Sequence, residues 1–247
     1  MWGTITHNTR NLVGRILTHC GHSQKHRDAA IRWASSFCVS AMHFIRGEHE
    51  IDGAELAGFL GRDEIDKLQD ANHAPLYSAT MTRYHLQKAL RVTGQTSPGL
   101  AHSYSIHQNA MEELIDSLVA QVSGMEKIRS TPLPIVYVSH LRTFLFLYCI
   151  LIPYVWVTEW GWSTLPLVMF TSFALFGIEG ASSECEIPLD RSRPNHLAMD
   201  GYCLVILDGI QGLVVHDANL RMIEKQTDVG MEDENDKEVE EVWVHSD

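Results

Sequence analysis

The segment 128–157 reads IRSTPLPIVYVSHLRTFLFLYCILIPYVWV, and its apolar part decides the class of the fold. The apolar run 135–157 is about 23 residues long, and the hydrocarbon core of a bilayer needs about 20 helical residues. Two basic side chains, His140 and Arg142, lie near the start of this run. The segment therefore predicts a membrane-spanning helix whose mouth carries a basic collar formed by His140 and Arg142.

A second apolar run, 163–178, follows after the short connection TEWGW at 158–162. Three tryptophans stand at this connection, as in the aromatic belt of a membrane interface: Trp156, Trp160 and Trp162. Two runs joined this closely predict an antiparallel transmembrane hairpin over residues 135–181. The alternative is a pair of buried core helices in a soluble protein, which Pro153, Pro166 and the short second run favour.

The remaining sequence predicts helices outside the membrane. Residues 1–130 contain several helical patterns separated by glycine and proline breaks, and 107–128 has the clearest amphipathic spacing of apolar residues. The stretch 201–223 is apolar but interrupted by Asp208 and His216, which favours a helix packed outside lipid. The predicted fold class is all-α, with mainly cytosolic helices at 1–130, the hairpin at 135–181, and a loop and helix at 182–225.

Charge is segregated between the two ends of the chain. The formal net charge is −12, and residues 224–247 contain ten acidic residues against Lys225 and Lys237. Residues 226–247 lack a regular apolar pattern, which predicts a disordered acidic tail. The N-terminal part is basic but carries no nucleic-acid recognition motif, so proximity to anions or to lipid headgroups is the better interpretation.

No enzyme motif is present in the sequence. There is no P-loop, no GxSxG and no dinucleotide fingerprint, and the HRD at 26–28 lacks the other kinase motifs. His22 and His26 are four residues apart and could share a metal ion, but no third ligand is evident, so a solvated basic face is favoured. The five cysteines form no CxxC pair, which argues against a zinc site or a disulfide framework.

Two acidic features lie near the end of the hairpin. Glu179 is a carboxylate at membrane depth, where it would face water or a partner, or lie solvated at the interface. The segment 184–200, ECEIPLDRSRPNHLAMD, clusters oxygen ligands of the kind that bind calcium: Glu186, Asp190, Asn195 and Asp200. The alternative is a capping turn before the next helix, with Asp200 as its N-cap.

Several blocks of the chain resemble the bestrophin family of chloride channels. The blocks IRSTPLPIVYVSHLRTFLFLYCILIP, WGWSTLPLVMFTSFALFGIEGASSECEIP and NHLAMD follow the family pattern TPIPxxY, Gly-Trp, Gly-(Leu/Ile)-Glu, E-x-P-F and N-D-L-x-x-D. WGTITHNTRNL, AMHFIRGE and HAPL resemble its soluble segments, so the similarity covers residues 1–225. The family's first transmembrane helix and its neck-forming second helix would precede Trp2. We therefore expect the chain to be a fragment, or to be unable to form the usual pore alone.

The resemblance implies a homopentamer of multi-pass helical subunits in a lipid bilayer, around one central pathway for passive chloride conduction. No cofactor is implied with certainty. Pro132 and Pro134 would stiffen the mouth of the helix, because proline fixes φ. The implied anion pathway would involve Ile135, Tyr137, Val138, His140, Arg142 and Glu179. Alternatively, the side chains of His140 and Arg142 extend along the helix to the lipid headgroups and take no part in the pathway.

Two departures from the family pattern bear on ligands and function. The calcium clasp of animal bestrophins is opposed here by basic residues that intrude among the carboxylates: Arg191, Arg193 and His196. The missing neck leaves a second functional hypothesis open, a non-conducting interaction or assembly protein of the same fold.

Overall fold

The computed structural model describes residues 1–21, 23–48, 51, 53–56, 58–96, 101–131, 133–185 and 197–244, and this part of the chain is all-helical, as predicted. The helices are α1 (Trp2–His19), α2 (Gln24–Arg46), α3 (Gly53–Leu56), α4 (Arg62–Gln69), α5 (Ala74–Thr96), α6 (Ala101–Ser130), α7 (Ile135–Trp160), α8 (Thr164–Cys185) and α9 (Met199–Val244). A 3-10 turn, Gly161–Ser163, joins α7 to α8.

Helix α2 is the centre of a helical bundle that also contains α1, α5, α6 and the first turns of α9. Every residue from Trp33 to His43 is buried, so α2 packs on all sides rather than along one stripe. Small residues permit a close approach of α5: the Ser36 and Ser78 hydroxyl oxygens are 2.8 Å apart, and Ser78 also donates to the Trp33 carbonyl at 2.7 Å. The side-chain hydroxyls are thus satisfied inside an otherwise apolar core.

The hairpin of α7 and α8 has the opposite distribution of apolar surface. Within α7 one residue, Ile152, is buried, whereas Ile135 is 84% exposed and Phe144 66% exposed. Apolar side chains that face outward all around a helix need a lipid or protein partner. The structure confirms the predicted hairpin, and α8 continues to Cys185, beyond the predicted apolar run.

Two stretches of the described chain are long and apolar enough to cross a membrane, Ile135–Glu184 and Met199–Ile223. The first contains α7, the 3-10 turn and α8. The second is the beginning of α9, and one of its faces is buried in the bundle through Met199, Cys203, Ile206 and Ile210. This burial agrees with the expectation of a helix that packs on protein over residues 201–223.

The end of α9 overlaps the acidic tail for which disorder was predicted, 226–247. Helical backbone continues to Val244. Glutamate, lysine and methionine are good helix formers, and 231–244 contains neither glycine nor proline. Local propensity thus accounts for a helix that apolar spacing did not indicate. The side chains beyond Ile223 lie outside the described ones, and disorder of this end stays a prediction.

The end of α2 is locked to the end of α6 by Gly47 and Arg129. Gly47 adopts φ +76°, and its N–H donates to the carbonyls of His43 and Phe44. The Arg129 guanidinium donates to the Phe44 carbonyl at 2.9 Å and occupies the space beside Gly47, where an added Cβ would lie 2.1 Å from Nη2. Glycine is therefore required for two reasons, its backbone conformation and the packed guanidinium.

We predict that Gly47→Ala lowers the free energy of unfolding by about 1–3 kcal/mol, because it combines backbone strain with displacement of Arg129. Gly14→Ala is the matched control, since Gly14 lies inside α1 with no atom near its missing Cβ. Alanine there should be neutral or stabilising by up to about 1 kcal/mol. Thermal unfolding of the purified variants measures both effects, and an equal response of the two variants would contradict the account of Gly47.

Candidate functional site

Three helix ends meet where the hairpin joins the bundle: the end of α2, the end of α6 and the start of α9. The end of α6, which leads into α7, is tied to α2 through Arg129. The start of α9, which follows α8, is tied to α2 through Arg46. The Arg46 guanidinium donates from Nη1 and Nη2 to the two carboxylate oxygens of Asp200, at 2.8 and 2.6 Å. Both chain segments that connect to the hairpin are thus attached to the last turn of α2. We call this group of residues the arginine junction; it consists of Phe44–Gly47, Arg129 and Asp200.

The Arg46–Asp200 pair is mostly removed from water on the arginine side. The Arg46 side chain is 2% exposed, while that of Asp200 is 43% exposed. The bidentate hydrogen bonds that Arg46 donates to Asp200 raise the pKa of Arg46, against the opposing effect of burial. A buried guanidinium needs such a partner, because an unpaired buried charge is strongly destabilising.

Further arginines attach α9 to the bundle along its length. Arg10 donates to the Val205 carbonyl at 2.7 Å, and Arg221 donates to the Leu17 carbonyl at 3.1 Å. Asp217 accepts from Arg27 at 3.4 Å and from Arg221 at 2.8 Å. Sequence reasoning missed these contacts, although single arginines beside apolar helical positions were a visible signal. They fix α9 against α1 and α2.

The proline that precedes α7 lies at the start of the helix, and the stiffening expected of it stays a prediction. The Pro134 carbonyl accepts the N–H groups of Tyr137 at 2.9 Å and Val138 at 3.2 Å, and its φ is −56°. Because proline has no N–H and a fixed φ, it starts a helix without leaving a donor unsatisfied. Pro132 lies outside the described residues.

The helical geometry of α7 divides the predicted pathway residues into two sets. Ile135, Val138 and Arg142 are spaced by three, four and seven residues and share one face of the helix. Tyr137 and His140 lie on the opposite side, so the two members of the basic collar do not share a face. A helix has 3.6 residues per turn, and residues two apart point in different directions.

The structure brings two predicted residues together across the hairpin. Nε of Arg142 on α7 forms an ion pair with Oε1 of Glu179 on α8. Both side chains are partly exposed in the chain by itself. A guanidinium and a carboxylate inside an apolar hairpin reduce each other's desolvation penalty, which makes both tolerable at membrane depth.

The predicted calcium ligands fall mainly outside the described part of the chain. This applies to Glu186, Asp190 and Asn195. Asp200 is described, and both of its carboxylate oxygens accept hydrogen bonds from Arg46. The described residues contain no group of three His, Cys, Asp or Glu side chains that could hold a metal ion. Asp200 lies in the first turn of α9, one residue past its start, and so inside the helix rather than at the predicted N-cap.

Comparisons with known proteins agree on one family. The sequence profile described as Bacterial/Fungal Bestrophin protein matches residues 1–211. A voltage-dependent anion channel-forming protein of Nostoc sp. is 33% identical over 224 residues, which are 89% of this chain and 69% of that protein. A protein of the same description from Synechocystis sp. is 28% identical over 217 residues, or 86% of this chain and 67% of that protein.

A solved structure supports the fold. The crystal structure of a bacterial bestrophin homolog from Klebsiella pneumoniae superposes with a TM-score of 0.76 at 21% sequence identity. The similarity covers 86% of this chain and 75% of that one. The arrangement of bundle and hairpin is therefore shared with that protein.

We predict that Asp200→Ala lowers the free energy of unfolding by about 2–4 kcal/mol, because it leaves the Arg46 guanidinium buried without its bidentate partner. Asp116→Ala is the control: Asp116 pairs with Arg83, but its side chain is 74% exposed, so its loss should change stability by less than about 1 kcal/mol.

A double variant separates charge burial from a loss of packing. Asp200→Ala combined with Arg46→Met removes both partners and should recover part of the lost stability. Chemical unfolding of all variants in one detergent gives the comparison. A double variant that is less stable than Asp200→Ala alone would contradict the role given to the buried charge.

Proposed function

Because the chain belongs to the bestrophin family, we propose that it is a subunit of an anion channel that conducts chloride passively through a membrane. The observation that carries this proposal is the match to the channel-forming Nostoc protein, which includes the bundle and the hairpin. The relatives' channel-forming names favour this function over a non-conducting assembly protein, and no enzymatic activity is proposed. Conduction requires a path through the bilayer, and the hairpin is a part of this chain suited to lipid.

The face of α7 that carries Ile135, Val138 and Arg142 is the proposed contribution to the ion pathway. Apolar side chains at a constriction remove water from a passing ion, and a nearby positive charge lowers the barrier for an anion relative to a cation. Arg142 supplies that charge beside two apolar positions, one and two turns away along the helix. Glu179 limits the net charge but also holds the guanidinium in place.

A multi-pass subunit in a homopentamer is the proposed assembly. The exposed apolar surface supports it, because α7 and α8 expose large aromatic and aliphatic side chains over their whole length. The side of α9 away from the bundle also exposes apolar residues, among them Leu204, Val205 and Val215. Such surface on a helix outside the hairpin suits contact with a neighbouring subunit.

Calcium is not part of the proposed function. The Asp200 carboxylate is engaged by Arg46, so a calcium ion at this position would lie close to a guanidinium of the same sign of charge. Arg191 and Arg193 add positive charge to the same segment of the sequence. Each opposes a divalent cation.

We predict that the expressed chain sediments with membranes and resists extraction with alkaline carbonate, because the hairpin exposes apolar side chains on all sides. Immunoblotting of pellet and supernatant fractions measures this directly. Recovery of the folded chain in the soluble fraction without detergent would contradict insertion of the hairpin.

We predict that Arg142→Glu lowers the chloride-to-sodium permeability ratio of the reconstituted channel. At an effective dielectric constant of about 20, a unit charge 4 Å from an ion contributes about 4 kcal/mol before screening. A residual effect of about 1.4 kcal/mol already changes the ratio tenfold. The measurement is the reversal potential under asymmetric salt in reconstituted bilayers.

Two control variants accompany Arg142→Glu. Lys127→Glu makes the same charge reversal at an exposed position of α6, outside the hairpin, and should leave the reversal potential unchanged. Val138→Ala keeps the charge and should alter selectivity among anions. If Arg142→Glu leaves the reversal potential where it was, Arg142 is a structural partner of Glu179 and not a selectivity residue.

A further inference from the structure

His26 and His85 form a close contact between two helices of the bundle. Nδ1 of His26 on α2 lies 3.2 Å from Nδ1 of His85 on α5, and the ring centroids are 5.5 Å apart. Two ring nitrogens that face each other at this distance share one proton, with one ring as the N–H donor and the other as the acceptor. Both side chains are half-buried, so water has access to the pair. The contact therefore requires that one of the two nitrogens carry no proton.

The charged groups around His85 come from three helices and make a second positive charge at the pair unfavourable. Burial has the largest effect and lowers the pKa of His85, and His26 and Arg32 on α2 and Lys88 on α5 lower this pKa further. Glu64 on α4 acts in the opposite direction, but its carboxylate also lies 3.7 Å from the Arg32 guanidinium. The neutral form of His85 is therefore favoured in the folded chain.

The start of α2 is also a poor place for additional positive charge. Its first turn contains no acidic residue, and the N-cap residue Ser23 makes no side-chain hydrogen bond to the helix. The N–H groups at the start of a helix carry partial positive charge, which an anion offsets and a cation does not. The helix dipole thus opposes a positive charge on the His26 ring, which lies in this turn.

The pH dependence of the contact follows from the lowered pKa. In the unfolded chain a histidine takes up its proton near about pH 6.5. In the folded chain His85 takes up its proton at a lower pH, because its pKa is lowered. The stability that the neutral ring contributes is therefore fully present above about pH 6.5, and it is lost as the pH falls through the pKa of His85 in the folded chain.

We propose that the His26–His85 pair is a proton-sensitive contact, which holds the start of α2 against α5 near neutral pH and releases it when both rings are protonated. Two protonated rings leave no acceptor between the nitrogens and place two like charges side by side. The contact is separate from the hairpin and from the arginine junction, and it does not depend on the proposed channel function. The sequence spacing indicated His22 as the partner of His26, but His22 lies outside the described residues.

A second histidine pair links α1 to α6 with a different geometry. His19 and His107 stack with ring centroids 3.8 Å apart and an interplanar angle of 18°. Burial lowers the pKa of His19, as do His107 and Arg15. Acid should therefore weaken the contact between α1 and α6 as well. A test of the His26–His85 pair needs a readout that separates α2 and α5 from the rest of the bundle.

Hydrogen–deuterium exchange of the full chain in detergent gives this readout. Exchange is measured at about pH 7.5 and about pH 5, on either side of the ordinary histidine pKa, and is corrected for the intrinsic effect of pH on amide exchange. In the unchanged chain we expect amide protection in the first half of α2 and around His85 in α5 to fall at least about threefold in acid, because one hydrogen bond between the helices is lost. Protection in α7 and α8 is the internal reference and should not fall.

Asparagine variants remove the titration and keep a hydrogen bond. The side-chain amide of asparagine lies close to the position of Nδ1 in histidine and does not titrate in this pH range. The double variant His26→Asn with His85→Asn can form an N–H···O contact at both pH values, so protection in α2 and α5 should no longer fall in acid. His85→Asn alone should behave in the same way, because its amide oxygen can accept from His26 whether or not that ring is charged.

The matched control is His102→Asn, at an exposed position of α6, which should keep the full acid-dependent fall in α2 and α5. Thermal unfolding at both pH values checks that each variant is folded. Equal protection of α2 and α5 at the two pH values in the unchanged chain would overturn the proposal. A fall in His85→Asn and in the double variant as large as that in the unchanged chain would also overturn it, since the pair would then not be the cause.

Discussion

The buried guanidinium of Arg46 constrains how the two parts of this molecule are joined. A hairpin with apolar side chains on all sides and a bundle with a closed apolar core have no core in common. What connects them is the last turn of α2, where Arg46 binds Asp200 at the start of α9 and Arg129 binds the Phe44 carbonyl from the end of α6. The chain before the hairpin and the chain after it are therefore held by one rigid element.

This arrangement assigns different tasks to different interactions. Burial of apolar surface stabilises the bundle, and α2 can be buried on all sides because its serine hydroxyls bond to nearby backbone carbonyls. The arginine junction buries little apolar area. It fixes the relative orientation of the helix ends that it joins, since a bidentate guanidinium–carboxylate pair has a defined geometry. Gly47 makes the junction possible, because its left-handed conformation ends α2 and leaves room for Arg129. Stability and positioning thus rest on separate groups.

The sequence predicted the elements well where one segment contained the whole signal. The length and composition of 135–157 predicted α7, and the amphipathic spacing of 107–128 predicted most of α6, which extends from Ala101 to Ser130. It did not predict interactions between distant segments: Arg46 and Asp200 are 154 positions apart, and Arg142 and Glu179 are 37 apart. The sequence marked Arg142 and Glu179 singly as unusual charges, but their pairing depends on the rotation of two helices about their axes, which no local pattern contains. The same limit applies to His26, because its contact with His85 depends on how α2 packs against α5.

The Arg142–Glu179 pair also bears on how a hairpin can attract an anion while staying in lipid. A lone arginine at the centre of a membrane helix is unfavourable by at least about 2.5–3.5 kcal/mol, and a carboxylate beside it offsets part of this. Pairing removes the net charge but leaves a dipole, with its positive end on α7 and its negative end on α8. In the proposed ion pathway, an ion beside α7 would meet the positive end of this dipole before the negative end. The register of α7 against α8 sets the direction of the dipole, and with it the contribution of the pair to the choice between anions and cations.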